Sequence, residues 1–177
     1  FTMQMRNLIK EKIAANGYAV GAFVASSSAT NCEILAMNGY DFVIIDCEHA
    51  QTDSETAVNM FRACEMYGMA PMVRVYNPYD GPMMSRLLDV GAHGIMVPLV
   101  NDAPQAKNIV DNTKYAPVGR RGANGGRGPR WGAYDDYVKV CNDNTLTFVQ
   151  CESIEGVNNI EEIAALPGVD GVFIGTG

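Results

Sequence analysis

The sequence has few basic residues, few histidines and no long hydrophobic run. Thirteen Lys and Arg against twenty Asp and Glu give a formal net charge of -7. That balance argues against nucleic acids and acidic membrane surfaces as partners, because both require a basic surface. No apolar run approaches the roughly 20 residues that cross a bilayer, and the N-terminus lacks a signal-peptide pattern. We therefore expect a soluble, unsecreted protein that acts on small molecules.

Cysteine motifs and hydrolase signatures are also absent. The five cysteines are an odd number, and no two of them have CxxC spacing. They predict neither a disulfide framework nor a zinc cluster, and a reducing cytoplasm fits them best. No Ser-His-Asp order or zinc-type histidine pair occurs. At 177 residues and 47% apolar composition, the chain has the size and character of one globular domain.

Short apolar runs alternate with segments of helical spacing along most of the chain. The apolar runs predict strands at 19–25, 42–46, 70–75, 94–99, 145–151 and 170–175. The helical spacing predicts helices at 5–16, 30–38, 53–67, 80–90, 102–112 and 155–165. Asp53 as an N-cap and Gly68 as a stop support one of these helices. Regular alternation with nearly continuous apolar strands predicts parallel pairing.

Two observations favour a (β/α)8 barrel, the TIM barrel, over an open doubly wound sheet. Ionisable residues lie at the C-terminal ends of at least three predicted strands, at Asp46, Arg74 and Glu152. Barrel enzymes carry their functional groups at the C-terminal ends of the strands. No GxGxxG motif follows the first strand. The chain contains about six strands where eight are typical. We therefore expect residues 1–177 to be a single barrel domain that lacks its C-terminal strands and helices.

The strongest candidate site begins where residues 42–45 run directly into Asp46, Cys47, Glu48 and His49. Side chains alternate along a strand, so Gln150 and Glu152 share one face, and Asp46 shares a face with Ile44. In a barrel, Asp46 and Glu152 would approach the same end, where carboxylates can bind Mg²⁺ or Mn²⁺. The alternative is that Glu152 caps the following helix or faces solvent.

Three other charged residues have two interpretations each. His49 can transfer protons near neutral pH, or it can be a hydrogen-bonded loop residue. Arg74 at the end of an apolar strand can meet a substrate carboxylate or enolate, or it can pair with Asp46 or Asp89. Asp89 ends a helix, where a negative charge is mildly unfavourable, which suggests a specific partner. The second histidine, His93, precedes a strand and is predicted to be structural.

A basic, glycine-rich loop spans residues 117–131. We expect it to be mobile and to lie over the catalytic end of the barrel, where it could close on an anionic substrate. A surface loop with solvated arginines is the alternative. The arginines in question are Arg120, Arg121, Arg127 and Arg130.

Taken together, these motifs resemble the HpcH/HpaI aldolase family, the metal-dependent class II pyruvate aldolases. The resemblance spans nearly the whole chain, and the combination of motifs is far more specific than any one of them. It rests on residues 46–50, 74, 87–92, 97–98, 114–122, 150–152 and 168–175.

The resemblance implies a fold, a cofactor and a reaction. Members are (β/α)8 barrels that bind Mg²⁺, Mn²⁺ or Co²⁺ and cleave 4-hydroxy-2-oxo acids to pyruvate and an aldehyde. It also implies a homo-oligomer, a hexamer or trimer of dimers. No lysine ends a predicted strand, which agrees with metal chemistry rather than an imine mechanism.

The resemblance also implies a role for each candidate residue. Glu152 would be the metal ligand, Arg74 would contact the pyruvyl oxygen, and His49 would transfer the proton. Asp89 would orient His49, while Asp46 and Glu48 would contact metal-bound water. The remaining residues would bind pyruvate: Gln150 beside it, and the backbone amides of Gly175, Thr176 and Gly177 at its carboxylate.

The sequence departs from the family pattern at several positions. Cys47 stands where glycine is usual, Gln51 where proline is usual, and Thr176-Gly177 replace the middle pair of the terminal turn. The aspartate that would complete the metal site would follow Gly177 and lies outside the sequence. The alternatives are a citrate-lyase-like or malyl-CoA-lyase-like enzyme, and a non-catalytic barrel that binds a 2-oxo acid. Acidic groups on the aldehyde could meet Arg121 or Arg127.

Overall fold

A computed structural model describes residues 2–176 of the chain. The strands are β1 (Gly21–Val24), β2 (Phe42–Asp46), β3 (Ala70–Arg74), β4 (Gly94–Val97), β5 (Leu146–Cys151) and β6 (Gly171–Ile174). The helices are α1 (Leu8–Asn16), α2 (Ala29–Met37), α3 (Ser54–Met66), α4 (Gly81–Asp89), α5 (Ala103–Thr113), α6 (Tyr137–Asn144), α7 (Ile154–Asn158) and α8 (Ile160–Ala164). A short 3-10 helix spans Arg130–Gly132.

The six strands form one parallel sheet in the order β1-β2-β3-β4-β5-β6. Within residues 2–176, β1 and β6 are the two edges of this sheet. The sheet is nevertheless strongly curved. This curvature is visible in the contact between its two edges, where the rings of Phe23 on β1 and Phe173 on β6 meet edge to face with centroids 5.6 Å apart. The prediction of an α/β fold with six parallel strands is confirmed as a partial barrel.

Side-chain alternation separates two apolar layers. The convex side of the sheet packs on the helices through residues such as Val43, Ile45 and Val73, all fully buried. The concave side forms a second cluster around Ile44 and Met72, to which Ile9 of α1 also belongs. Asp46 follows Ile44 by two positions and Arg74 follows Met72 by two, so both side chains point to the concave side. The curved sheet thereby gathers the candidate residues at its C-terminal end.

Small residues make room for large ones inside the curve. Gly171 pairs with Phe148 on β5, and a Cβ added to Gly171 would lie 2.5 Å from the Phe148 ring. Gly21 and Phe42 form an equivalent pair, with a separation of 2.3 Å. No side chain fits at either glycine without displacing the ring of its neighbour.

The sequence prediction failed at two helical segments. Residues 155–165 form two short helices, α7 and α8, rather than one. Helix α6 was not predicted, and it has no side-chain cap: Asp136, which precedes it, has a left-handed backbone with a φ of 49°. None of the helices described in residues 2–176 is both long and apolar enough to cross a membrane.

The predicted position of the basic loop was wrong. Residues 114–136 connect the end of α5 to α6 and the start of β5, so they lie at the N-terminal end of the sheet, opposite the candidate site. Each of the four loop arginines pairs with a carboxylate, and the Arg120 side chain is nevertheless 80% exposed. The pairs are Arg120–Asp111, Arg121–Asp89, Arg127–Glu65 and Arg130–Glu65.

A buried lysine joins several elements at the same end of the sheet. Lys114 is 1% exposed, and its Nζ donates to the backbone oxygens of Asn142 and Thr145 at 3.0 and 2.7 Å. It also donates to Asp170 Oδ2 at 2.6 Å, and that oxygen accepts the Thr147 N–H at 2.9 Å. Burial lowers the pKa of Lys114, while Asp170 opposes the shift. The ion pair ties α5, α6, β5 and β6 together.

His93 is structural, as predicted, and is expected to make stability depend on pH. Its Nδ1 is shielded from solvent without a hydrogen-bond partner, and burial lowers its pKa from 6.5 to about 4. The unfolded chain therefore takes up a proton between these values that the folded chain does not. Stability should fall by about 2.5 kcal/mol as pH drops from about 6.5 to about 4.

Thermal unfolding of a His93→Gln variant across this pH range measures that effect. We expect a flatter pH profile than the wild-type protein shows. A His49→Gln variant is the matched control, because the His49 side chain is 72% exposed, and it should keep the wild-type slope. Equal slopes in all three proteins would contradict the assignment to His93.

Candidate active site

Arg74 and Asp46 form an ion pair at the C-terminal end of neighbouring strands. The two residues are register partners on β2 and β3. Arg74 Nε donates to Asp46 Oδ1 at 3.0 Å and Nη2 donates to Oδ2 at 2.7 Å, a two-point contact. The internal pair that was one alternative for Arg74 is therefore present. It leaves Nη1 as the part of the guanidinium that Asp46 does not bind.

The turn after β2 adds two more charged groups. Asp46 Oδ1 accepts the backbone N–H groups of Glu48 at 3.0 Å and His49 at 3.3 Å, which fixes the turn. Glu48 Oε2 lies 3.2 Å from Arg74 Nη1 and 3.6 Å from His49 Nε2. Glu48 is thus the carboxylate beside His49 within the chain.

Two carboxylates of this site, Asp46 and Glu48, have shifted pKa values. Burial opposes ionisation of Asp46, but the hydrogen bonds from Arg74 and the Glu48 N–H outweigh it and lower the Asp46 pKa. Burial raises the pKa of Glu48, and the charges of Glu152 and Asp46 raise it further against the opposing effect of Arg74 and His49. Hydrogen bonding to Asp46 raises the pKa of Arg74. Ionisation is therefore disfavoured at Glu48 and favoured at Asp46.

Glu152 points into the site from the end of β5. Its Oε1 accepts the Leu99 N–H at 2.8 Å, and its Oε2 accepts from Gln150 Nε2 at 2.5 Å. Leu99 holds a left-handed backbone with a φ of 53°, which is unusual for a residue other than glycine. Glu152 is therefore half-buried at the cavity and does not cap α7, whose N-cap is Ser153.

Gly175 leaves space beside the Glu152 carboxylate. A Cβ at this position would lie 2.9 Å from Glu152 Oε2 and 3.3 Å from Gln150 Nε2. Any side chain larger than hydrogen would therefore press on both polar groups. Thr176 follows at the edge of the same cavity, and Gly177, the third residue of the predicted turn, lies outside the described residues.

One open cavity of about 400 Å³ contains most of the predicted site residues. It is lined by ionisable groups at the C-terminal ends of β2, β3 and β5 and by the turn after β6. Two aromatic residues complete the wall. The lining residues are Phe23, His49, Arg74, Gln150, Glu152, Phe173, Ile174, Gly175 and Thr176.

The structure does not bring Asp89 to His49 within one chain. Asp89 ends α4 and precedes β4, so it lies at the N-terminal end of the sheet, whereas His49 follows β2 at the C-terminal end. Its Oδ1 accepts from Arg121 Nη2 at 2.6 Å and from Asn124. The unfavourable position of its charge is compensated by Arg121, whose side chain is fully buried. Arg121 and Arg127 are likewise too remote to meet an aldehyde in the same chain's cavity.

The donor set suits a hard divalent cation only in part. Among residues 2–176, no group of three or more His, Cys, Asp or Glu is arranged to hold a metal. Two oxygens at the site are shielded from solvent: Gln150 Oε1, which has no hydrogen-bond partner, and Glu48 Oε2, whose close contacts are the charged groups of Arg74 and His49. Carboxylate and amide oxygens beside Glu152 are the ligand type that Mg²⁺ and Mn²⁺ prefer, directly or through water.

Sequence reasoning missed two contributors to this site. Phe23 lies in a short apolar strand and gives no signal that separates it from a core residue. Leu99 was assigned to a strand, but β4 ends at Val97 and Leu99 instead supplies the N–H that binds Glu152. Both contributions depend on contacts between residues distant in sequence.

The fold and site define a parallel β/α protein with an acidic and arginine-containing cavity at the C-terminal ends of its strands. A family model described as HpcH/HpaI aldolase/citrate lyase matches residues 19–177. The chain therefore belongs to this family.

Curated relatives and solved structures agree with that assignment. The chain is 41% identical over 157 residues to a hydroxypyruvate/pyruvate aldolase of Chromohalobacter salexigens, covering 88% of this chain and 61% of the relative. It is 35% identical over 175 residues to a 2-keto-3-deoxy-L-rhamnonate aldolase of Escherichia coli, covering 97% and 64%. A crystal structure of an HpcH/HpaI aldolase from Desulfitobacterium hafniense matches with a TM-score of 0.88 at 30% identity, covering 97% and 66%. The chain thus spans less than two thirds of each of these proteins.

Proposed function

We propose that this protein is a metal-dependent aldolase that reversibly cleaves a 4-hydroxy-2-oxo acid to pyruvate and an aldehyde. The observation that carries the proposal is the shared cavity, which presents Arg74, Gln150 and Glu152 together. The names of the aldolase relatives support the same reaction. We also propose that the whole protein is a complete (β/α)8 barrel formed as one domain. We further propose that it is located in the cytoplasm, because its five cysteines are buried and free, as a reducing compartment allows.

Glu152 would hold the metal ion, Mg²⁺, Mn²⁺ or Co²⁺, with Asp46 and Glu48 contacting its water ligands. When bound, such an ion polarises the 2-oxo group of the substrate and favours the enolate. Leu99 N–H and Gln150 Nε2 hold the two oxygens of Glu152 and so fix the carboxylate before any ligand arrives. Lys114 lies at the opposite end of the sheet and pairs with Asp170, so it is no candidate for an imine mechanism.

Arg74 would contact the pyruvyl oxygen and stabilise the negative charge that develops on it. His49 would remove the proton of the 4-hydroxyl group during cleavage. The cavity leaves the His49 side chain largely exposed, so a substrate can reach it. Gln150 would lie beside pyruvate, and the backbone amides of Gly175, Thr176 and Gly177 would hold its carboxylate.

Asp89 can orient His49 only across a subunit contact, because the two lie at opposite ends of one chain. That role therefore belongs with our proposal that the protein is a homo-oligomer, a hexamer or trimer of dimers. The Asp89 side chain is 31% exposed, which leaves part of it accessible to a second copy. Molar mass from light scattering tests this proposal, and a monomer would contradict it.

Solvent deuterium exchange at the pyruvate methyl group tests the proposed function. The measurement titrates the protein with Mg²⁺, Mn²⁺ or Co²⁺ in the presence of pyruvate and follows exchange by proton NMR. We expect exchange that depends on the metal and disappears with EDTA. Full exchange in a metal-free sample would contradict the mechanism.

The His49→Ala variant serves as a second arm of this experiment. Cleavage of a 4-hydroxy-2-oxo acid should slow by roughly a hundredfold or more, because the proton acceptor is removed. Pyruvate binding without exchange or cleavage would instead indicate a 2-oxo-acid-binding protein. Cleavage confined to citrate or a CoA thioester would favour the citrate-lyase-like or malyl-CoA-lyase-like alternative.

A further inference from the structure

The aromatic ring of Phe23 lies over the guanidinium group of Arg74. The distance from Arg74 Cζ to the ring centroid is 4.9 Å, within the range of a cation–π contact. Phe23 is on β1 and Arg74 on β3, so the two side chains meet across the intervening strand β2. Curvature of the sheet brings them together on its concave side.

The edge of the Arg74 guanidinium is already occupied by carboxylates. Asp46 binds Nε and Nη2, and Glu48 lies 3.2 Å from Nη1. The two hydrogen bonds to Asp46 run along one edge of the group. Phe23 covers one of its flat faces, which limits rotation of the guanidinium plane.

Phe23 is itself held in place by a second ring. Phe173 packs against it edge to face at 5.6 Å with an interplanar angle of 73°, a favoured aromatic geometry. Backbone pairing with Ile44 on β2 fixes the height of Phe23 along the sheet. Arg74 is therefore held along one edge by Asp46 and on one face by a restrained ring.

Core packing alone does not account for this phenylalanine. Phe23 lines the cavity together with Arg74. Phe61, by comparison, is completely buried among the helices and sheet. The position of Phe23 is that of a residue at a ligand cavity rather than in the interior.

We propose that Phe23 is a positioning residue that holds the Arg74 guanidinium in the orientation required by the pyruvyl oxygen. The proposal rests on the proposed function, since it assigns Arg74 to pyruvate. The negative π face of the ring attracts the Arg74 cation, which would also attract the pyruvyl oxygen. Its contribution should therefore follow the electron density of the ring, and not only its size.

Stepwise fluorination of Phe23 tests the proposal, because fluorine withdraws π density with little change in shape. Site-specific incorporation of mono-, di- and trifluorophenylalanine should raise the KM for pyruvate in the exchange reaction step by step. We expect about three- to tenfold at the trifluoro stage. Phe23→Leu should show a similar rise in KM, and Phe23→Trp should keep the wild-type KM. The same fluorinated residue at Phe61 is the matched control and should leave KM unchanged.

A second measurement does not depend on activity. In a nitrogen–proton NMR spectrum, the Arg74 Nε–H signal should show an upfield ring-current shift that disappears in Phe23→Leu. A missing ring-current shift, or a flat KM across the fluorine series while that shift persists, overturns the proposal.

If the wild-type protein shows no exchange, the proposed function fails. Pyruvate affinity from calorimetry then takes the place of KM, and a stepwise loss across the series still supports the role of Phe23.

Discussion

Replacing Glu152 by Gln is expected to reduce metal-dependent exchange of pyruvate by roughly a thousandfold while the protein stays folded. The carboxylate is the one candidate metal ligand within the described chain that faces the cavity from β5. Removing its charge removes the main attraction for a divalent cation, which is worth several kcal/mol of transition-state stabilisation. Loss of Mn²⁺ binding in electron paramagnetic resonance should accompany the loss of exchange.

The hydrogen bonds around Glu152 explain why the fold should tolerate this change. The oxygen of the introduced amide can still accept the Leu99 N–H, which reaches Glu152 Oε1 at 2.8 Å in the wild-type protein. The nitrogen of the introduced amide would face Gln150, whose side-chain amide can turn over and offer its unpartnered Oε1. We therefore expect a melting temperature within about 3 °C of the wild-type protein.

Glu155→Gln is the matched control for this experiment. It makes the same chemical change three positions further along, on an exposed residue of α7. Its exchange rate should equal that of the wild-type protein. Exchange that survives in Glu152→Gln at the wild-type rate would show that Glu152 does not hold the metal.

Replacing Lys114 by Met should lower the melting temperature by about 5–15 °C. The substitution leaves Asp170 without its 2.6 Å partner and two backbone oxygens without their donor. Breaking a buried ion pair in this way costs about 3–5 kcal/mol, somewhat less here because the Asp170 side chain is 16% exposed. In a chain of this size each kcal/mol corresponds to roughly 2–4 °C.

Two further variants separate the charge pair from simple loss of contacts. Lys10→Met removes a lysine that lies 3.5 Å from Asp170 but is 46% exposed, and it should cost less than about 1 kcal/mol. The double change Lys114→Met with Asp170→Asn should regain part of the stability, because no buried charge is left unpaired. A Lys114→Met protein as stable as the wild type would contradict the importance of this pair.

The sequence predicted the strands well because their apolar runs end in charged residues. Residues 42–46 were predicted as a strand and form β2 without any change of boundary. The Asp53 cap was also confirmed, since its side chain accepts the Thr56 N–H. These features are local, so neighbouring residues are sufficient to specify them.

The contacts of the basic loop could not be predicted because they join distant segments. Arg127 pairs with Glu65, 62 positions earlier in the chain, and no local pattern links the two. The end of the sheet at which the loop lies follows from connectivity alone, since the loop precedes a strand.

Phe23 shows a further limit of sequence reasoning. Whether an aromatic residue on one strand reaches an arginine two strands away depends on how strongly the sheet curves. That curvature is set by many side chains acting together, among them the paired glycines and phenylalanines on the concave side. A flat sheet with the same sequence pattern would keep Phe23 and Arg74 apart.

The arginine-rich loop and the Lys114 pair lie in segments that precede strands, at the N-terminal end of the sheet. The cavity lies at the other end, where the strands finish and the following segments begin. Changes that reshape the cavity can therefore accumulate in one set of connections without weakening the contacts of the other within the same chain. This separation makes the scaffold a good recipient for grafted loops. An engineer who replaces the segment after β3 or β4 can leave the Lys114 pair unchanged, so we expect such changes to affect the cavity more than heat tolerance.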